Sequence, residues 1–124
     1  MTYAKILVVE DDPIIASLIA NRLSKLGYTL CGAVSSAHDA MAAISTLPPD
    51  LILMDISLGD EIDGVQLAEM IRKDSDVPIV FLSSSTDDTT VERVKATRPD
   101  GYIVKPFDDR TLRIGIEIAL GRTR

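Results

Sequence analysis

Apolar residues along this chain fall into two alternating patterns. Ile6 to Val9, Leu51 to Met54 and Ile79 to Leu82 are unbroken apolar runs, the signature of strands buried on both faces. Thr29 to Val34 is weaker, interrupted by Gly32, and suits a sheet edge. Tyr102-Ile-Val-Lys105 is a fifth strand, preceded by an Asp100-Gly101 turn and broken by Pro106. Between these runs the apolar positions recur at three and four residues, the period of a helix with one buried stripe.

Five helices follow from that period. The first has Ile15, Leu18, Ile19, Leu23 and Leu26 on its stripe, Asp12 as cap, Pro13 at its first position and Gly27 as its close. Ser36 caps a second, with Ala37, Ala40, Met41, Ile44 and Leu47 on one face and Pro48-Pro49 ending it. Asp63-Gly-Val-Gln66 reads as a capping box that opens a third, with Leu67, Ala68 and Ile71 inward. A fourth, about residues 87–97, has only Val91 and Val94 to bury and is expected to be the least stable. The last opens at Asp108 or Asp109 and runs to about Leu120. Strands alternating with helices imply right-handed crossovers and one doubly wound parallel sheet covered on both faces, an α/β fold.

The last helix carries more than a core stripe. Leu112, Ile116, Ala119 and Leu120 share one arc, while Ile114 and Ile118 fall nearly opposite, where a solvated helix is polar. Gly115 is expected beside them, letting another backbone approach. An interface through Ile114 and Ile118 is therefore expected.

At 124 residues the chain is read as one domain, residues 1–124, large enough for a core without staples. A net charge of −6 argues against direct nucleic-acid binding. The lone Cys31 excludes an internal disulfide and fits a small core residue in a reducing cytosol. No apolar run approaches the roughly 20 residues of a membrane span, and the N-terminus runs into a strand with no signal-peptide pattern. A soluble cytoplasmic location is expected.

In a parallel sheet the strands share one carboxyl-end rim, where open α/β folds bind ligands. Here that rim collects Glu10, Asp11, Asp12, Asp55, Ser83 and Lys105. Crowded carboxylates repel one another unless a cation joins them. Oxygen-only ligands, without His or Cys, suit Mg²⁺ better than zinc. Lys105 and the Ser83 hydroxyl suit an anion such as phosphate beside the metal. The only histidine, His38, reads as a surface residue rather than a phosphodonor.

Glu10-Asp11, Asp55, Ser83-Ser84 and Lys105-Pro106-Phe107, in that order and spacing, resemble the receiver domain of two-component response regulators. The resemblance spans essentially the whole chain. It implies a flavodoxin-like (βα)5 fold with strand order 2-1-3-4-5 and a cis Lys105–Pro106 bond. It implies Asp55 as phosphoacceptor from a partner histidine kinase or histidine phosphotransfer protein. Asp11, Asp55 and the Ser57 carbonyl would be direct Mg²⁺ ligands, with Glu10 acting through water. Lys105 would pair with the acceptor, Ser83 would be the switch hydroxyl and Tyr102 the switch aromatic. Ser57 and Ser85 match positions that set how water reaches the phosphoryl group. Helix four, strand five and helix five would be remodelled on phosphorylation, and homodimers commonly form there. The domain would assist its own phosphorylation without being an enzyme for another substrate.

Three departures stand out. Glu10 replaces the commoner Asp, the loop after Asp55 reads Ser-Leu-Gly-Asp-Glu-Ile-Asp-Gly without the usual Met-Pro, and no output domain follows helix five. The chain is thus expected to be a single-domain regulator or a receiver taken from a longer protein. The alternative is a pseudo-receiver that binds partners unphosphorylated, against which every acceptor and metal position is filled. A haloacid dehalogenase-type enzyme needs a second Asp where Ser57 stands, and a flavodoxin-like cofactor site needs a phosphate-cradling loop where three acids lie.

Overall fold

The computed structural model describes residues 4–59, 61–84 and 87–121. Strands β1 (Lys5–Val9), β2 (Thr29–Val34), β3 (Leu51–Asp55), β4 (Ile79–Ser83) and β5 (Gly101–Val104) alternate with helices α1 (Pro13–Lys25), α2 (Ala37–Thr46), α3 (Gly64–Arg72), α4 (Asp88–Lys95) and α5 (Asp109–Gly121). The sheet runs β2-β1-β3-β4-β5 and every pairing is parallel. This is the flavodoxin-like order that the resemblance implies.

Side chains alternate across a strand, and that alternation builds two cores. Leu7, Val9, Ile52, Met54, Ile79 and Phe81 meet Ala40 of α2, Leu67 and Ile71 of α3, and Val94 of α4. Ile6, Val8, Leu51, Leu53, Val80 and Leu82 meet Ile19 and Leu23 of α1 and Leu112 and Ile116 of α5. The three central strands are therefore apolar at nearly every position.

The caps match the sequence closely. Asp12 accepts from Ile14 and Ile15 N–H at the start of α1, Ser36 from Asp39 N–H, and Asp63 and Gln66 close the reciprocal box on α3. Asp108 accepts from Thr111 N–H at 2.8 Å, so it caps α5 and Asp109 is the first helical residue. The short α4 buries only Val94, as its thin stripe implied.

Three apolar assignments need correction. Leu18 is 57% exposed, because Ile15, Ile19, Leu23 and Leu26 make the stripe that packs against the core and Leu18 falls outside it. Leu47 is half-exposed because it is the C-cap of α2, where φ is −143° and the helical face has ended. Gly115 does not join the outer patch. A β-carbon there would stand 2.9 Å from Ile103 Cδ1, so the missing side chain lets α5 settle on β5.

Two tight junctions hold the sheet's far half. Arg72, at the end of α3, donates from Nε to Thr97 O at 3.2 Å and from Nη2 to Arg98 O at 3.3 Å. It also reaches Val77 O and pairs with Asp100 Oδ2 at 2.9 Å, an oxygen that also accepts from Ile79 N–H. One guanidinium thus ties the end of α3 to the loop before β4 and to the turn between α4 and β5. At the other end of α3, a β-carbon on Gly64 would lie 2.2 Å from Asp55 O and 2.9 Å from Ile56 Cα. The helix begins against the backbone that carries Asp55.

Arg72→Ala is expected to cost about 3 kcal/mol, because it strands a mostly buried carboxylate and several carbonyls. Gly64→Ala is expected to cost roughly as much, since a backbone clash cannot be relieved by a rotamer. Urea denaturation of each variant against the parent chain checks both.

Candidate functional site

The register of the central strands sets the site. Val9 of β1 is level with Met54 of β3, and Asp55 with Leu82 of β4, so Glu10 and Asp55 leave neighbouring strands side by side. Glu10 is 4% exposed and Asp55 also 4% exposed, both rare for carboxylates. Asp11, one residue on, is exposed. Carboxylate oxygens of all three lie within 4.8 Å of one another, an arrangement that could hold a metal ion.

Lys105 supplies the opposing charge. Its Nζ stands 3.3 Å from Glu10 Oε1 and 3.3 Å from Asp55 Oδ1, and its backbone N–H donates to Ser83 O at 2.8 Å. The Lys105–Pro106 peptide bond is cis. Burial pushes the Glu10 carboxyl up to about 7, and the Asp55 charge adds to it. The Asp12 N–H, which donates to Glu10 Oε2 at 3.1 Å, and the Lys105 charge work the other way.

Of the rim residues read from the sequence, Glu10, Asp11, Asp55 and Lys105 converge. Asp12 does not join them, since its Oδ1 is committed to the cap of α1. Ser83 is buried at the end of β4, level with Val104. Tyr102, level with Phe81, is half-buried against the core on the α2–α3–α4 side. The exposed Ser57 gives its N–H to Asp55 Oδ1 at 3.3 Å. Ser85 lies outside the described residues. His38 is exposed beside Asp39, and the half-buried Cys31 thiol is pushed up by burial, so neither joins the rim.

Two features of the site escaped the sequence. Gly59 N–H donates to Asp11 Oδ2 at 2.8 Å, so the loop after Asp55 folds back onto the acidic pair. A groove of about 450 Å³ opens beside Glu10 and Asp11, between Pro13, Ala16 and Ser17 of α1 and Ser35 at the end of β2. Both depend on where loops land, and no periodicity reports that. Chemically, the rim offers a buried carboxylate, Asp55, with a cation 3.3 Å away and a set of carboxylate oxygens that could hold a metal ion.

The family model for the response regulator receiver domain matches residues 6–117. Among curated proteins, the sensory transduction protein BceR of Halalkalibacterium halodurans is 37% identical over 95% of this chain and 50% of its own length. The DNA-binding response regulator MtrA of Mycolicibacterium smegmatis is 33% identical over 95% of this chain and 51% of its own. The chain spans about half the length of the curated relatives it matches. Among solved structures, the signal receiver domain of a modulated diguanylate cyclase from Desulfovibrio desulfuricans superposes with a TM-score of 0.90. It is 34% identical and aligns over 98% of this chain and 96% of that one.

The raised Glu10 pKa makes a prediction for the metal-free chain. Between its ordinary value of 4.5 and about 7, folded Glu10 keeps a proton that the unfolded chain has lost. Folding then takes up a proton, so stability falls as pH rises through that window. In EDTA, the parent chain is expected to lose on the order of 2 kcal/mol relative to Glu10→Gln between about pH 5 and 8. Denaturant titrations of both proteins across that range check it.

Proposed function

The chain belongs to the response regulator receiver domain family, and on that premise we propose that it is a phosphorylation switch with Asp55 as the acceptor. The observation that carries this reading is the Asp55 carboxylate, buried at a strand end with Lys105 Nζ at 3.3 Å and two further acids beside it. Residues 1–124 form the receiver unit, a cytoplasmic phosphoprotein and not an enzyme acting on a separate substrate.

The donor is a phosphohistidine on a partner histidine kinase or histidine phosphotransfer protein. An Asp55 carboxylate oxygen attacks the phosphorus in line, the P–N bond breaks, and its electron pair leaves with the imidazole. Lys105 balances charge on the phosphoryl oxygens, so catalysis is positioning and electrostatics. The donor set, three carboxylates without nitrogen or sulfur, fits a hard cation. Glu10, Asp11 and Asp55, with the Ser57 carbonyl, would hold Mg²⁺, which when bound offsets negative charge on the phosphoryl group and the acids. Ile14 and Leu18, 72% and 57% exposed on α1 next to the rim, support docking of an apolar partner surface there.

After transfer, the Ser83 hydroxyl donates to a phosphoryl oxygen and Tyr102 moves inward, altering the face of α4, β5 and α5. Exposure of Ile114, Ile118 and Val104 on that face supports its use as a homodimer or partner interface. The acidic balance of this chain favours a protein partner over direct nucleic-acid contact.

Incubation with acetyl phosphate and Mg²⁺ is expected to add one phosphoryl group at Asp55, read by intact-mass and peptide mass spectrometry. Asp55→Asn should abolish the adduct and EDTA suppress it; an adduct on His38 or a serine instead contradicts the assignment. Ser57→Arg should change the decay rate of the phosphoprotein more than Mg²⁺ affinity. Ile118→Glu should shift sedimentation toward monomer wherever the parent chain associates, with Asp55 still phosphorylated. Unfolding by that substitution would instead mean that Ile118 belongs to the core.

A further inference from the structure

Lys105 is held from two sides. On its amino side its N–H closes onto Ser83 O at 2.8 Å. On its carboxyl side the chain passes through Pro106 to Phe107, whose carbonyl accepts from Arg22 Nη1 at 2.7 Å. The same guanidinium lies 5.3 Å from the centroid of the Phe107 ring, and its Nε is 3.5 Å from Asp109 Oδ1 at the start of α5. Arg22 belongs to α1, the helix whose cap, Asp12, directly follows Glu10 and Asp11. One rigid element therefore connects the acids of the rim to the segment behind its cation.

We propose that Arg22 is a positioning residue for phosphoryl transfer: it pins the Phe107–Asp109 segment to α1 and thereby fixes Lys105 Nζ over Asp55. The inference rests on the reading of Asp55 as acceptor and Lys105 as its cation. A lysine side chain has four rotatable bonds, and its tip is placed only as well as the backbone on both sides of it. Misplacement of a catalytic group by about 1 Å can cost up to a hundredfold in rate. The three contacts also explain why an arginine stands there. A planar fork can meet a carbonyl with one nitrogen, a carboxylate with another and an aromatic ring with its face. An ammonium is a point charge and satisfies one of these at a time. Arg22 does not touch Glu10 or Asp11, which follow β1, or Asp55, which ends β3, so its loss should leave metal affinity unchanged.

The test measures the rate of phosphoprotein formation from acetyl phosphate at saturating Mg²⁺, with Mg²⁺ affinity measured separately by titration calorimetry. Arg22→Met is expected to slow phosphorylation about tenfold with unchanged Mg²⁺ affinity. Arg22→Lys keeps the stem and the charge, carries the same test if the methionine variant fails to fold, and is expected to be about threefold slow. Both substitutions are repeated in a Lys105→Met background, where a residue acting through Lys105 has no further effect. An unchanged rate in Arg22→Met, or in Arg22→Lys where only that variant folds, overturns the proposal. So does a loss of equal size with and without Lys105. A parent chain that takes up no phosphoryl group overturns the acceptor reading instead, and this inference with it.

Discussion

Glu10 and Asp55 leave adjacent strands side by side, both almost fully buried, and one ammonium group stands 3.3 Å from each. Two negative charges out of water against one positive charge is an unbalanced arrangement, and the Glu10 carboxyl shows it by rising to about 7. Burial is the larger cause of that rise, and the neighbouring Asp55 charge adds to it. The oxygens of Glu10, Asp11 and Asp55 lie within 4.8 Å of one another, an arrangement that could hold a metal ion.

Holding such charges together requires a stiff frame. The central strands supply it through apolar side chains packed on both faces, and the helix junctions supply the rest. Gly64 lets α3 start against the Asp55 backbone, and Gly115 lets α5 lie on Ile103. Arg72 ties α3 to the loop before β4 and the turn between α4 and β5, and Arg22 ties α1 to the segment after Lys105. Both arginines act through several acceptors at once, which a planar guanidinium allows. By contrast α4 buries a single valine, leaving it the element least committed to the frame.

Much of this was legible along the chain. Apolar runs located the central strands, and the period of three and four located every helix. The caps at Asp12, Ser36 and Asp63 were readable because they depend on residues two to three apart. The rim residues were readable too, since a parallel sheet puts every strand's carboxyl end on one side and the order of motifs matches a known family. What misled was the assumption that every apolar residue near a helical stripe is buried. Leu18 and Leu47 break it, one because it falls outside the contact stripe and the other because the helix has already ended.

The sequence by itself determined which segments are strands and helices, which faces they bury and which side chains reach the rim, because these follow from local period and from the polarity of a parallel sheet. Tertiary structure alone decided the distances and the long-range joints: Lys105 at equal reach of two acids, Asp12 spent on a helix cap, Gly115 turned inward, and Arg22 and Arg72 as clamps. Arg22 and Phe107 are 85 positions apart. A contact of that separation exists only once the layers have packed, and no pattern of neighbouring residues encodes it.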